Sequence, residues 1–272
     1  MNEPMSDPSL DELVAGARAY EALHVPALFA EWCTWVLDAA DVAQGRRVLD
    51  VACGTGVLAR AAAQRVGADG FVAGVDPGAG MLAVARELEP GIEWRAGTAD
   101  ALPYGDCSFD AVVSQFGLMF FPSRPAALHE MRRVLRPGGR LAAAVWDALA
   151  CSQAYPEVVE MLERLAGSAA ADALRAPFVL GDDTALANLI GDAGFEDVRV
   201  ETHTGTARFP SVRAMAEADL RGWLPVMGVV LPEDLIQHIL AEAEGVLARY
   251  VTADGSVAFD APGLIVTGRA PA

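Results

Sequence analysis

The chain has 272 residues, of which 53% are hydrophobic and 21% charged, a balance that supports a sizeable core and excludes a disordered chain, a collagen or a disulfide-stapled miniprotein. Lysine plus arginine number 20 against 37 aspartates and glutamates, so the net charge is −17 and both phosphate backbones and anionic lipid are disfavoured as partners. Cys33, Cys53, Cys107 and Cys151 lie far apart and the histidines are scattered, so no metal is expected and the thiols read as free, in a reducing compartment.

Met1 to Leu10 lacks a basic region followed by an apolar one and does not read as a signal peptide. No run reaches the roughly 18 apolar residues of a membrane span. The expectation is a soluble, cytoplasmic protein. From Arg46 to Trp146 short apolar runs alternate with helical stretches. Strands are expected at Arg47–Val51, Phe71–Val75, Ile92–Ala96, Phe109–Gln115 and Arg140–Trp146. Helices are expected at Val57–Val66, Ala79–Leu88 and Pro125–Leu135, the last stopped by Pro137-Gly138-Gly139. Such alternation predicts a parallel sheet with both faces covered. Beyond it, Ala148–Leu180 and Thr184–Gly191 read as helical. Glu196–Thr206 and Pro262–Arg269 read as strands, with a mostly helical insertion, Ser211–Val251, between them. No repeat or linker divides the chain, so one α/β domain with helical additions is expected.

The chemistry concentrates at Val48-Leu49-Asp50-Val51-Ala52-Cys53-Gly54-Thr55-Gly56, a strand that enters a glycine-rich turn and opens a helix. Gly54, Gly56 and Ala59 also satisfy a dinucleotide fingerprint. Asp50 discriminates. A carboxylate beneath the ligand repels a pyrophosphate and attracts an ammonium or a sulfonium.

With these residues the chain resembles the class I S-adenosylmethionine-dependent methyltransferases, and most of all the bacterial small-molecule group of the ubiquinone/menaquinone-biosynthesis type. Further segments carry the likeness: Gly74-Val75-Asp76-Pro77, Gly97 to Tyr104, Ser108 to Val113, and Arg133 to Gly139. It covers Tyr20 to Trp146 closely and Pro177 to Arg269 loosely. The resemblance implies a Rossmann-like, seven-stranded, mostly parallel sheet with helices on both faces and helical lid insertions. It implies one domain over 1–272: a helical cap at 1–45, a cofactor-binding core at 46–147, and lid helices with the last two strands at 148–272.

By resemblance, Asp76 holds the ribose hydroxyls, as suits a carboxylate with two acceptor oxygens. Met81 packs on the adenine, Asp100 accepts its amino group and the Ala101 backbone meets the ring edge. Gln115 meets the methionine part, Phe116 borders the adenine or the methyl group, and Tyr20 points at the cofactor carboxylate. The cofactor set so implied is completed by Asp50, Ala52, Gly54, Thr55, Gly56, Pro77, Thr98 and Ala99. As a strand-end residue, Asp76 is not expected to carry the fold.

The expected activity is methyl transfer from S-adenosylmethionine, by in-line displacement, to a small and largely apolar acceptor. Oxygen, carbon and nitrogen all remain open as the accepting atom. Open parallel sheets bind ligands at the carboxyl ends of their strands, which puts Met119 and Phe120 beside the acceptor or, equally, in the core. Trp223 and Met227 read either as pocket lining or as packing for the insertion. His24 shares a helical face with Tyr20 and is the candidate base, the alternative being a structural histidine. His129, His203 and His238 read as structural or solvated. A homodimer is compatible with the helical insertion. The rival readings are a protein that binds S-adenosylmethionine without methyl transfer and a nicotinamide-dependent oxidoreductase.

Overall fold

The computed structural model describes residues 9–272; residues 1–8, which include most of the segment read as free of a leader, lie outside the described residues. The sheet contains β1 (Arg47–Val51), β2 (Phe71–Asp76), β3 (Glu93–Ala96), β4 (Phe109–Gln115), β5 (Leu135–Trp146), β6 (Glu196–Phe209) and β7 (Val257–Arg269). Their order is β3-β2-β1-β4-β5-β7-β6. The first five strands pair in parallel, and β7 is antiparallel to both β5 and β6. The expected seven-stranded, mostly parallel sheet is thus the one observed.

Its central strands carry apolar runs on both faces because both are covered: Val48, Leu49, Val51, Val112, Val113 and Leu141 are buried. The chain leaves β1 toward β2 through α3 (Val57–Val66), and leaves β4 in the opposite direction toward β5 through α5 (Arg124–Val134). Right-handed crossovers running in opposite directions put α3 and α5 on opposite faces. At the amino ends of the strands Asp110 ties three of them together. It accepts the Arg47 backbone N–H (2.8 Å) and an Arg136 guanidinium N–H (2.7 Å). Burial pushes its pKa up, but these bonds more than compensate and leave it below the usual value.

Several boundaries differ from the sequence reading. Pro137-Gly138-Gly139 does not stop α5, which ends at Val134; it lies inside β5. Leu135 already pairs with Phe109, and the register then jumps to Ala111–Arg140, so the Pro-Gly-Gly segment is a bulge. β7 begins before Pro262 because Pro262 lies beyond Trp146, the last β5 residue paired, where only β6 flanks it. The stretch after β5 is not one helix. It holds α6 (Tyr155–Ala166) and α7 (Ser168–Arg175), which part at Gly167 (φ 86°). α8 (Asp183–Asp192) precedes β6, and the insertion carries α9 (Val212–Glu217), a π-helical turn at Ala218–Trp223, α10 (Leu224–Val226) and α11 (Glu233–Val246).

Ahead of the sheet lie α1 (Leu10–His24), a π-helical turn at Val25–Phe29 and α2 (Trp32–Ala39). Ser9 and Glu12 close a capping box at the start of α1. α1 packs against α4 (Ala79–Leu88) so closely that a Cβ on Gly80 would stand 2.3 Å from the Leu13 carbonyl oxygen. Arg18 adds an exposed ion pair to Glu87 at 2.9 Å.

Candidate active site

The strand order reverses between β1 and β4, and the glycine loop leaves the carboxyl end of β1 beside this reversal. Three loop residues take positive φ: Ala52 (59°), Gly54 (55°) and Gly56 (87°). Ala52 is the costly one, since a side chain there opposes the left-handed conformation. Gly56 is required twice over: by its φ, and because a Cβ would meet Trp94 Cη2 at 2.3 Å. The Trp94 ring is itself anchored by its Nε1–H, which donates to the Glu89 carbonyl at 2.9 Å.

Asp76, at the end of β2, braces this loop. Its Oδ2 accepts the Gly54 N–H at 2.8 Å and its Oδ1 the Gly78 N–H at 2.7 Å. This corrects the expectation that Asp76 carries little of the fold: one carboxylate joins the loops after β1 and β2. Burial nevertheless pushes its pKa up, against these two bonds. Asp50 is still more enclosed. It is 1% exposed, and its Oδ2 has no hydrogen-bond partner. Burial raises its pKa well above the ordinary carboxylate range, the Ala59 backbone N–H offsets part of the rise, and the charge of Asp76 adds to it.

Above the loop stands the C-terminal end of α1. Tyr20 is pushed upward in pKa first by burial and then by the charges of Asp76, Glu21 and Asp50, so three carboxylates face one phenol. An aromatic ladder follows, with ring centroids 5.6 Å apart for Tyr20–Phe29, 5.5 Å for Phe29–Phe116 and 3.9 Å for Phe116–Trp146. Phe116 holds φ 55° at the end of β4, a strained conformation for an aromatic residue. Gln115 donates its amide to the Phe29 carbonyl at 3.0 Å, while its Oε1 is buried without a partner.

A small cleft in this region is lined by Tyr20, Phe29, Asp50, Ala52, Cys53, Gly54, Thr55, Val57, Leu58 and Gln115. A second, shallow depression at Arg140, Arg199 and Arg269 lies at the amino end of β5, away from the glycine loop.

The structure brings Tyr20, Asp50, Ala52, Gly54, Thr55 and Gln115 to one cleft, with Gly56, Asp76 and Phe116 directly behind them. Thr98 and Ala101 close a small bridged turn after β3, in which Asp100 is exposed and Ala99 half-buried. Pro77 is exposed, and Met81 is half-buried on α4. His24 stacks on Tyr20 at 5.3 Å, as the shared helical face requires; its Nδ1 is buried without a partner, and burial lowers its pKa. His129 is exposed and His203 stacks on Trp35.

Met119, Phe120, Trp223 and Met227 do not line this cleft. Met119 is buried, Phe120 is exposed and faces Trp223 at 5.1 Å, and the Trp223 indole N–H donates to the Ala173 carbonyl at 2.8 Å. Trp223 therefore fastens the insertion to α7. Met227 sits in an exposed turn. Sequence reading overlooked Glu21, Arg60 and Phe29. Thr55 Oγ1 donates to Glu21, and Arg60 pairs with Glu21 at 2.6 Å. Among the described residues no group of His, Cys, Asp or Glu side chains is arranged to hold a metal ion, and no helix is long and apolar enough to cross a membrane.

A reversing parallel sheet, a strained glycine loop and acids at the ends of its first two strands define the nucleotide-binding core of a class I methyltransferase. A family model described as a methyltransferase domain matches residues 48–139. The chain is 33% identical over 195 residues to the ubiquinone/menaquinone biosynthesis C-methyltransferase of Cronobacter sakazakii, covering 64% of this chain and 76% of that one. It is 42% identical over 114 residues to the 2-phytyl-1,4-naphtoquinone methyltransferase of Thermosynechococcus vestitus, covering 41% of this chain and 51%, about half, of that relative. In fold it is similar to the phosphoethanolamine N-methyltransferase 2 of Haemonchus contortus in complex with S-adenosyl-L-methionine, with TM-score 0.60 and 19% identity over 99% of this chain and 62% of that one. The chain belongs to the class I S-adenosylmethionine-dependent methyltransferases, in the ubiquinone/menaquinone-biosynthesis group.

Proposed function

We propose that this protein transfers a methyl group from S-adenosylmethionine to a small, largely apolar acceptor of the quinol type. The observation that carries the reading is Asp50, a buried carboxyl group with one oxygen unpartnered, on a residue that lines the cleft at the glycine loop. Such a group is costly unless a cation arrives to pair with it, and a pyrophosphate makes it worse. When bound, S-adenosylmethionine supplies a sulfonium-activated methyl.

The chain's own residues bind, orient and exclude water. Asp76, already held by Gly54 and Gly78, keeps lone pairs for ribose hydroxyls. Met81, Asp100 and the Thr98–Ala101 turn border the adenine side. Asp50, Gln115 and Tyr20 hold the amino-acid side, and Phe116 limits where the reacting carbon stands. Alignment of this kind accounts for about 7–11 kcal/mol of a displacement barrier in well-oriented systems.

His24 serves as base when the acceptor is a hydroxyl or an acidic carbon. A neutral imidazole with an unpartnered Nδ1 supports that role. All four cysteines are free, which suits the cytoplasm we propose as its compartment. The quinol assignment follows the names of the sequence relatives.

The test is incubation with methyl-labelled S-adenosylmethionine and a panel of reduced naphthoquinones, benzoquinones, phenols and amines, followed by mass spectrometry. Label in a quinol product supports the reading. Tight cofactor binding with no labelled product across the panel contradicts it.

A further inference from the structure

We infer that the depression at the amino end of β5 is a second ligand site, which takes a compact dianion of the phosphate type. It lies at the opposite end of the sheet from the glycine loop, and the inference does not depend on methyl transfer.

The strand register assembles the site. Arg140 on β5 stands directly opposite Arg269 on β7, and Arg199 on β6 stands opposite Thr267 on β7. Alternate residues of a strand point to one face, so Thr267 shares a face with Arg269. Three guanidinium groups and one hydroxyl are thereby gathered on one face of the sheet. All four residues line the depression, together with Asp197 and Gly268. The face is the one that α2 covers, because Arg140 Nη1 donates to the Ala39 carbonyl at 3.2 Å and its Nε pairs with Asp41 at 2.9 Å.

A chain with 20 basic and 37 acidic residues has few arginines to spend, and like charges directly opposite on paired strands cost stability. The neighbouring acids do not neutralise the three. Asp41 serves Arg140. Asp197, its side chain 75% exposed, stands 3.8 Å from Arg269 Nε, beyond hydrogen-bond reach. Glu196, opposite Arg269 in the register, is exposed and does not line the depression. Arg199 forms no ion pair among the described residues. Arg199 and Arg269 therefore keep their donors, beside a third guanidinium that α2 holds in place.

A guanidinium presents paired N–H donors whose spacing matches two oxygens of a phosphate. A tetrahedral dianion has oxygens enough for Arg199, Arg269 and Thr267 at once, and two charges for the two arginines without a close partner. A single carboxylate has two oxygens and one charge. The net charge of −17 then selects by size. A compact anion stays within the local positive field, whereas an extended polyanion crosses the acidic surface around it and is repelled.

The test is calorimetric titration of the full chain near neutral pH with inorganic phosphate, glycerol 3-phosphate and malonate, each against sodium chloride of equal ionic strength. Wild type is compared with Arg199→Gln, Arg269→Gln, the double variant, and Arg213→Gln as a control that removes one positive charge elsewhere. The expected result is one phosphate site per chain, weakened at least about tenfold by each single substitution and lost in the double variant, with Arg213→Gln within about twofold of wild type. S-adenosylhomocysteine affinity should stay within about twofold throughout. Tighter binding of glycerol 3-phosphate than of phosphate would identify a phosphate ester as the ligand, and the reverse a free phosphate; both support the site. No saturable heat beyond that of chloride, phosphate binding that survives the double variant, or malonate binding tighter than both phosphates would overturn the inference. Circular dichroism melts check each fold, and the exposed Arg199→Gln carries the test alone if the double variant does not fold.

Discussion

Asp76→Ala removes one carboxylate from two loops at once. The Gly54 and Gly78 N–H groups lose acceptors that stand at 2.8 and 2.7 Å. Hydrogen bonds to a charged group contribute about 1.5–3 kcal/mol each. Against that, the variant no longer buries a carboxylate whose pKa burial pushes up, so the two losses are partly offset. The net expectation is a stability decrease of about 1–3 kcal/mol by urea unfolding. Binding suffers separately, because the loop loses its brace and the ribose its acceptor. We expect S-adenosylhomocysteine affinity to fall roughly 10- to 100-fold, about 1.4–2.7 kcal/mol. Asp76→Asn keeps one carbonyl acceptor and should lie between wild type and Asp76→Ala in both assays. Affinity within twofold of wild type in Asp76→Ala, with unchanged stability, would refute the reasoning.

Gly56→Ala forces a side chain into a left-handed residue and against Trp94 at 2.3 Å; the two costs together predict about 2–5 kcal/mol of destabilisation, and an unaltered thermal melt would disprove it. Asp50→Asn should weaken S-adenosylmethionine binding at least tenfold and abolish proton release on binding. That release is read from titrations in buffers of differing ionisation enthalpy: a carboxyl with its pKa raised in the free protein must ionise to meet a cation, so wild-type affinity climbs with pH. A pH-independent wild-type affinity would count against it. Asp219, buried in the π-helical turn with Oδ2 unpartnered, is pushed by burial from 3.8 to about 7. A folded pKa above the unfolded one means stability is full below pH 3.8 and declines as pH rises toward 7. At pH 8 Asp219→Asn should therefore exceed wild type by as much as about 4 kcal/mol, and at pH 4 match it. Parallel stability–pH curves for the two proteins would exclude this.

Much of the core and the glycine loop could be read from sequence because their signals are local. Asp50, Gly54 and Gly56 lie within one strand–turn–helix unit, and apolar runs such as Val48-Leu49 announce strands buried on both faces. What escaped is what depends on distant partners. Glu21 and Arg60 are 39 positions apart, and nothing near either one announces the other. The Asp76 spacing suggested a ligand acid but gave no sign of its bond to Gly54, 22 positions earlier. Trp223 looked like pocket lining because its ring is large and apolar, yet its N–H belongs to Ala173 on another helix. Pro137-Gly138-Gly139 resembled a helix stop, whereas cross-strand pairing of Leu135 with Phe109 turns it into a bulge. Tertiary pairing there overrides local punctuation.

The central claim is that the cleft over Asp50 and Asp76 takes S-adenosylmethionine in preference to any dinucleotide. Calorimetric titration of the wild-type chain with S-adenosylhomocysteine and, separately, with NAD measures it directly. The account predicts one S-adenosylhomocysteine site per chain and no saturable heat with NAD, because Asp50 ionises to meet a cation, whereas a pyrophosphate offers it only further negative charge. NAD binding as tight as S-adenosylhomocysteine binding, or tighter, would contradict it.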